Sequence, residues 1–188
     1  SHVNFDAAIF SNLSRDHLDY HKDMESYGST KKKLFTEWGL QSAIINIDDD
    51  YGKRIVNDST ADRVITYGKS GDLSWHGEYS STGMRVEFSF EGKSIGTDLS
   101  VHSEFEVANV AAALAAFLSM GHSIDKLINL LPQLASVPGR MQKIPGPRGC
   151  PAVILDYAHT PDALERVLRA CRHRCEGRLI CLIGCGGR

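Results

Sequence analysis

Lys31 falls in the middle of an apolar stripe. Met24, Tyr27, Leu34, Phe35 and Trp38 recur at helical spacing around it, so a helix here turns them and Lys31 to one side while Lys32 and Lys33 turn away. An ammonium buried among such residues is costly unless it is paired or gives up its proton. Two readings follow. The lysine lays its stem along the core with the amine in water, or burial makes it nucleophilic, as a catalytic or covalently modified lysine. Just upstream, Ser14-Arg15-Asp16-His17-Leu18-Asp19-Tyr20-His21-Lys22-Asp23 packs histidines and aspartates into one short stretch. Imidazole and carboxylate groups in that density suit a divalent cation; the same residues also describe a solvated loop that caps the next helix. Neither the paired spacing of a zinc finger nor H-E-x-x-H is present, which argues against zinc.

A second group lies near the C-terminus. Asp156 and His159 stand between an apolar strand and a helix opened by Thr160-Pro161, the place where open α/β sheets meet their ligands. Gly184-Cys185-Gly186-Gly187 follows another apolar run and suits close backbone approach to a ligand. Gly68-Lys69-Ser70 and Gly92-Lys93-Ser94 imitate the end of a phosphate loop, but the upstream glycine is replaced by Arg63 and Glu87.

The elements that must hold these residues read as follows. A short buried strand over 6–10 precedes the loop, and Asp23 caps a helix that runs to about Trp38 and stops at Gly39. A strand at 43–47, a short helix at 51–56 and a strand at 63–67 continue the alternation that builds a parallel sheet covered by helices. Residues 68–82 read as loop, and 84–90 with 94–101 as an antiparallel hairpin turning at Glu91-Gly92-Lys93. The Ala-rich run 105–120 is apolar almost all round and predicts a helix buried inside the domain. Ser123 caps a further helix over 124–131. Beyond a break at Val137-Pro138-Gly139-Arg140, a strand at 152–155, a helix from Pro161 to about His173 and a buried strand at 179–183 predict the opening of a doubly wound domain.

Composition sets the outer limits. The 188 residues carry 21 Lys and Arg against 23 Asp and Glu, for a net charge of −2. A near-neutral balance with no basic stripe speaks against nucleic acid as the main partner. No apolar run approaches the roughly 18 residues of a membrane span, and no signal-peptide pattern opens the chain, so a cytoplasmic protein is expected. The five cysteines lack C-x-x-C spacing and read as reduced core thiols.

Several strings together resemble the Mur ligase family: Ser11-Asn-Leu-Ser-Arg-Asp-His-Leu-Asp-Tyr-His21, Tyr27 before Lys31, Asn109 in its Ala-rich helix, Val137-Pro-Gly-Arg-Met141, and Asp156-Tyr-Ala-His-Thr-Pro-Asp-Ala-Leu-Glu165. The similarity is strongest to members that add the third residue of the peptidoglycan peptide. It implies an α/β fold in which 1–145 form the central ATP-binding domain, incomplete at its N-terminus, and 146–188 begin a Rossmann-like C-terminal domain. It implies an ATP-dependent acid–amino-acid ligase in which ATP converts the substrate carboxylate to an acyl phosphate, and the incoming amine displaces phosphate to form the amide. The substrates implied are a UDP-MurNAc-dipeptide and a free amino acid, by resemblance meso-diaminopimelate, handled by a monomer. By motif position, His17 ligates magnesium, and Lys31 is carbamylated, an anion that helps hold the Mg2+. Asn109 contacts adenine, Arg140 the phosphates and Asp156 the ribose, with His159 nearby in the ATP cleft. A folylpolyglutamate or cyanophycin synthetase type of ligase, or a non-catalytic binding module, shares the fold. The resemblance also leads us to expect that this stretch alone, without the phosphate loop, does not ligate. Two departures stand out: Glu106 replaces an asparagine expected at a second adenine contact, and Gly28-Ser29-Thr30 is expected to loosen the turn before Lys31.

Overall fold

The computed structural model describes residues 3–14, 21–80, 82–147 and 149–184. Its centre is a six-stranded sheet in sequential order, β1 (Ala7–Phe10), β2 (Ser42–Asn46), β3 (Arg63–Tyr67), β4 (Leu73–Tyr79), β5 (Met84–Phe90) and β6 (Lys93–Leu99). β1, β2 and β3 pair in parallel through matched registers, Ile9 opposite Ile44 and Ile44 opposite Ile65. One parallel bridge, Tyr67 to Leu73, joins β4, after which β4, β5 and β6 run antiparallel. The sheet is therefore half parallel and half antiparallel.

Helices cover both faces. α1 (Met24–Thr36) and α2 (Asp50–Asp58) pack on one side with Ala8, Phe10, Ala43 and Ile45. α3 (Glu104–Ser119) and α4 (Ile124–Ile128) pack on the other with Ile44, Ile65, Val86 and Phe88. β2 lies between these layers, and its run Ser42 to Ile45 is buried throughout. A parallel strand covered on both faces requires such an unbroken apolar run. The helix starts follow their caps: Asp23 accepts from the Ser26 amide at 2.8 Å, Asp49 from Tyr51 and Gly52, and Thr160 from Ala163 ahead of α5 (Pro161–His173). Ser123 occupies the cap position of α4, yet its side chain makes no capping bond.

Three expectations need correction. The 68–82 stretch is not loop throughout. Asp72 Oδ2 accepts from the amide and hydroxyl of Thr66 at 2.9 and 2.7 Å, locking a turn that launches β4. Leu73 is fully buried and Trp75 half-buried along it, while His76 and Glu78 face out. The 84–99 hairpin is thus the outer part of a three-stranded unit, with Glu91 and Gly92 both at positive φ in its turn, the geometry of the tight hairpin loops that glycine favours. The run 179–183 forms no strand and is not buried, with Ile180 78% and Leu182 99% exposed. Apolar residues become a strand only beside a backbone partner, and none pairs with them among the described residues. Cys150 and Cys181 are exposed and Cys171 and Cys175 half-buried, all unbridged, so they are not core thiols; Cys185 lies outside the described residues.

The C-terminal part contains a second sheet, β7 (Gln142–Ile144) antiparallel to β8 (Val153–Leu155). Its strands stand on either side of the expected division at residue 146. No described helix is long and apolar enough to cross a membrane.

Candidate functional site

A cleft of about 850 Å³ opens where α3, the segment after β6, the 130–137 stretch and the turn between β8 and α5 meet. Asn109, Arg140, Asp156 and His159 all line it. They come from distant parts of the chain, and the fold alone unites them. α3 supplies one wall. Val107, Ala111, Leu114, Ala115 and Leu118 turn into the core, while Asn109, Ala113 and Phe117, spaced one helical turn apart, line the cleft. The helix is consequently not buried all round. Its second apolar face, with Phe117 47% exposed, forms the side of a cavity, a distinction that hydropathy cannot make.

Glu106 also has a definite role. Its Oε2 accepts from the His102 amide and the Ser103 hydroxyl, each at 2.8 Å, and the Ser103 Oγ accepts from the Glu106 amide. This is a reciprocal N-cap that starts α3, and its Ser-x-x-Glu signal is present in the sequence.

Asp156 holds the opposite wall together. Oδ1 accepts from the Ala158 amide and Oδ2 from the Met141 amide, both at 2.8 Å. The carboxylate thus ties the β8–α5 turn to the Gly139-Arg140-Met141 segment, where Met141 is buried at φ 42. Each oxygen retains a lone pair for a ligand. Arg140 is exposed, its guanidinium 4.8 Å from the Tyr157 ring centre, and among the described residues no carboxylate lies within ion-pair distance of it. His159 is exposed, and its Nδ1 lies 3.0 Å from the Tyr157 carbonyl. Tyr157, Phe117, Arg166 and the apolar residues from Leu130 to Ala135 were not singled out in the sequence, yet all border the same space. Tyr157 lay within the quoted 156–165 string, so position rather than residue type hid it.

Asn12 and Ser14, from the segment after β1, reach this cleft as well. That segment is anchored from the end of β2: Asn46 donates to the Ser11 carbonyl at 2.7 Å, and Asp49 accepts from the Leu13 amide at 2.8 Å. Asp48 accepts from the Lys69 amide at 2.9 Å. The polar residues Asn46, Asp48 and Asp49 therefore order the loops at the C-terminal ends of the parallel strands, the usual ligand edge of such a sheet.

His17 lies outside the described residues. Lys31 does not line the cleft, and it is half-buried rather than sunk in the core. The buried positions of α1 are Gly28 and Phe35, and Trp38 is 49% exposed. The Lys31 Nζ sits 4.9 Å from the Tyr27 ring centre, a favourable place for a cation. Lys32 turns to Asp58, at 2.9 Å. The stripe is displaced because α2 packs where Gly28 gives room: a Cβ there would stand 2.4 Å from the Tyr51 ring. Gly28 is a contact point between α1 and α2, not a loosened turn. Among the described residues no group of three His, Cys, Asp or Glu side chains is placed to hold a metal.

Comparison with known proteins gives this architecture a family. Residues 1–117 match the Mur ligase middle domain, and residues 139–188 match the Mur ligase glutamate ligase domain. The chain belongs to the Mur ligase family. Within it, the UDP-N-acetylmuramoyl-L-alanyl-D-glutamate--2,6-diaminopimelate ligase of Ectopseudomonas mendocina is 40% identical over 189 residues, covering 98% of this chain and 39% of the relative. A solved structure of a ligase of that name superimposes with a TM-score of 0.72 at 33% identity, over 89% of this chain and 35% of the other. The MurF ligase of Thermotoga maritima in complex with ADP shares the fold, with a TM-score of 0.74 at 24% identity over 88% and 38% of the two chains. This Mur ligase chain thus spans about two fifths of the length of the curated relatives it matches.

Proposed function

We propose that the chain provides the nucleotide-handling part of an ATP-dependent ligase that joins 2,6-diaminopimelate to UDP-MurNAc-L-Ala-D-Glu. The observation that carries this reading is the convergence of Asn109, Arg140, Asp156 and His159 on one cleft. Its apolar wall of Ala113 and Phe117 suits a flat base, with Asn109 beside it to donate and accept hydrogen bonds. On the opposite side Arg140, with no carboxylate within ion-pair distance among the described residues, is suited to phosphate oxygens. Asp156 offers free lone pairs to a sugar hydroxyl, and His159 lines the same cleft. The diaminopimelate relatives supply the substrate side of the proposal, and the ADP-bound neighbour agrees with the nucleotide.

The reaction proceeds in two displacements. A carboxylate oxygen of the peptide attacks the γ-phosphorus of ATP and expels ADP; the amine then adds to the acyl phosphate carbon, loses a proton and expels phosphate. Catalysis of such a transfer is mostly positioning and charge stabilisation, the work open to Arg140. We propose His17 and Lys31 as the magnesium ligands. Lys31 as an ammonium repels the ion and becomes a ligand only as its carbamate, formed when the neutral amine adds carbon dioxide and releases a proton. The half-buried amine, free of any carboxylate within ion-pair distance among the described residues, leaves room for that addition. The chain is a cytoplasmic monomer of two units, 1–145 and the opening of a second at 146–188.

Calorimetric titration of the purified chain with ADP tests the cleft. Binding is expected, and Asn109→Leu is expected to weaken it about tenfold, the cost of an unmatched base edge. Failure to bind ADP at millimolar concentration, or equal affinity in Asn109→Leu, overturns the assignment. For Lys31, a carbon-13 carbamate resonance under labelled bicarbonate is expected, and its absence at saturating bicarbonate refutes the modification.

A further inference from the structure

Tyr157 is a large aromatic residue left 64% exposed at the edge of the cleft, where burial cannot explain it. Its ring touches two of the cleft's polar groups. The Arg140 guanidinium carbon stands 4.8 Å from the ring centre, and the His159 ring centre lies 5.0 Å away at 59°. The Tyr157 carbonyl meets His159 Nδ1 at 3.0 Å. Asp156 fixes the backbone on both sides, binding the Met141 and Ala158 amides, so the ring and the two groups share one frame. A guanidinium with no carboxylate partner samples many rotamers unless something flat holds it, and an aromatic face does so while leaving every N–H free to donate.

We propose that Tyr157 is a positioning residue: its ring holds Arg140 in place in the cleft and so sets the phosphate-dependent part of nucleotide affinity. This rests on the reading of the cleft as a nucleotide site. Tyr157 acts through Arg140, so its effect belongs to ligands that carry phosphate and is absent from those that do not. The hydroxyl is not required, because the interaction uses the ring face.

The test is titration of the chain with ADP and, separately, adenosine, on the native protein and on Tyr157→Phe, Tyr157→Leu, Arg140→Ala and the Tyr157→Leu/Arg140→Ala pair. Circular dichroism verifies that each variant is folded. Tyr157→Leu is expected to weaken ADP by about 3- to 10-fold, the exposed-to-partly-desolvated range of a cation–π contact, and to leave adenosine unchanged. Tyr157→Phe retains native affinity for both, and the pair is no weaker for ADP than Arg140→Ala alone. Equal loss for ADP and adenosine in Tyr157→Leu places the ring against the base and overturns the proposal. Unchanged ADP affinity, or additive losses in the pair, overturns it too. Those outcomes leave the cleft reading intact, whereas a native chain that binds neither ligand overturns both.

Discussion

Asp156 carries two tasks in the proposed site, and the structural one has a measurable size. Its two carboxylate oxygens accept the Met141 and Ala158 amides at 2.8 Å each. A hydrogen bond to a charged acceptor contributes about 1.5–3 kcal/mol when buried. Both bonds are part-buried, so about half that value applies to each, and Asp156→Ala should cost about 1.5–3 kcal/mol. At about 2–4 °C per kcal/mol for a chain of this size, the melting temperature falls by about 3–12 °C. Asp156→Asn keeps one acceptor oxygen and should lose about half as much.

Global melting can blur a loss confined to one wall of the cleft, so amide hydrogen exchange is the decisive assay. In Asp156→Ala the Met141 and Ala158 amides should exchange about tenfold faster, with amides of β2 unchanged, since one lost bond of about 1.4 kcal/mol is a factor of ten. Exchange at both amides within threefold of native would refute the clamp. An Asp156→Ala protein with native exchange and abolished ADP binding would make the residue a ligand contact alone.

Two further perturbations probe the frame around the site. Gly28→Ala places a methyl 2.4 Å from the Tyr51 ring; overpacking of about 1–3 kcal/mol outweighs a helix-propensity gain of up to about 1 kcal/mol, so urea denaturation should show a net loss of about 1–2 kcal/mol, and a more stable variant would contradict the packing. His102, held below its ordinary pKa of 6.5 first by burial and then by Arg174, takes the Arg174 Nη1–H on Nδ1 at 2.8 Å in its neutral form. Because the folded pKa is depressed, its contribution is complete above about pH 6.5 and is lost as pH falls through the folded value; the urea midpoint should drop more between pH 7 and 5 in the native chain than in His102→Gln, and parallel profiles would refute the contact.

Periodicity made the parallel half of the sheet legible. β1, β2 and β3 are apolar runs set off by caps and turns, and their bounds emerged to within a residue or two. β4 was hidden because Gly77 and the flanking serines mask an alternation whose inward members are Leu73 and Trp75. The 179–183 run failed for the opposite reason, since hydropathy signals burial but cannot supply a partner strand. Lys31 shows how narrow the margin is on one helix. Its spacing from Tyr27 and Phe35 suggested the core, yet the Gly28–Tyr51 contact turns the buried stripe aside and leaves the amine over the Tyr27 ring.

The candidate site was legible as separate strings and not as a place. Motif resemblance named Asn109, Arg140, Asp156 and His159, but nothing in the sequence says that the far side of α3 is a cleft wall. The Ala-rich helix is apolar on both sides because it serves two surfaces: Val107, Ala111 and Leu118 fill the core, while Ala113 and Phe117 face the cavity. Small side chains at Ala111, Ala112 and Ala115 let the helix lie close on β1 to β4, and that proximity brings its outer face within reach of the β8–α5 turn. The reciprocal cap of Ser103 and Glu106 fixes where the helix begins, and hence which of its residues face the cavity. Glu106 thereby helps to set the register of the wall that presents Asn109.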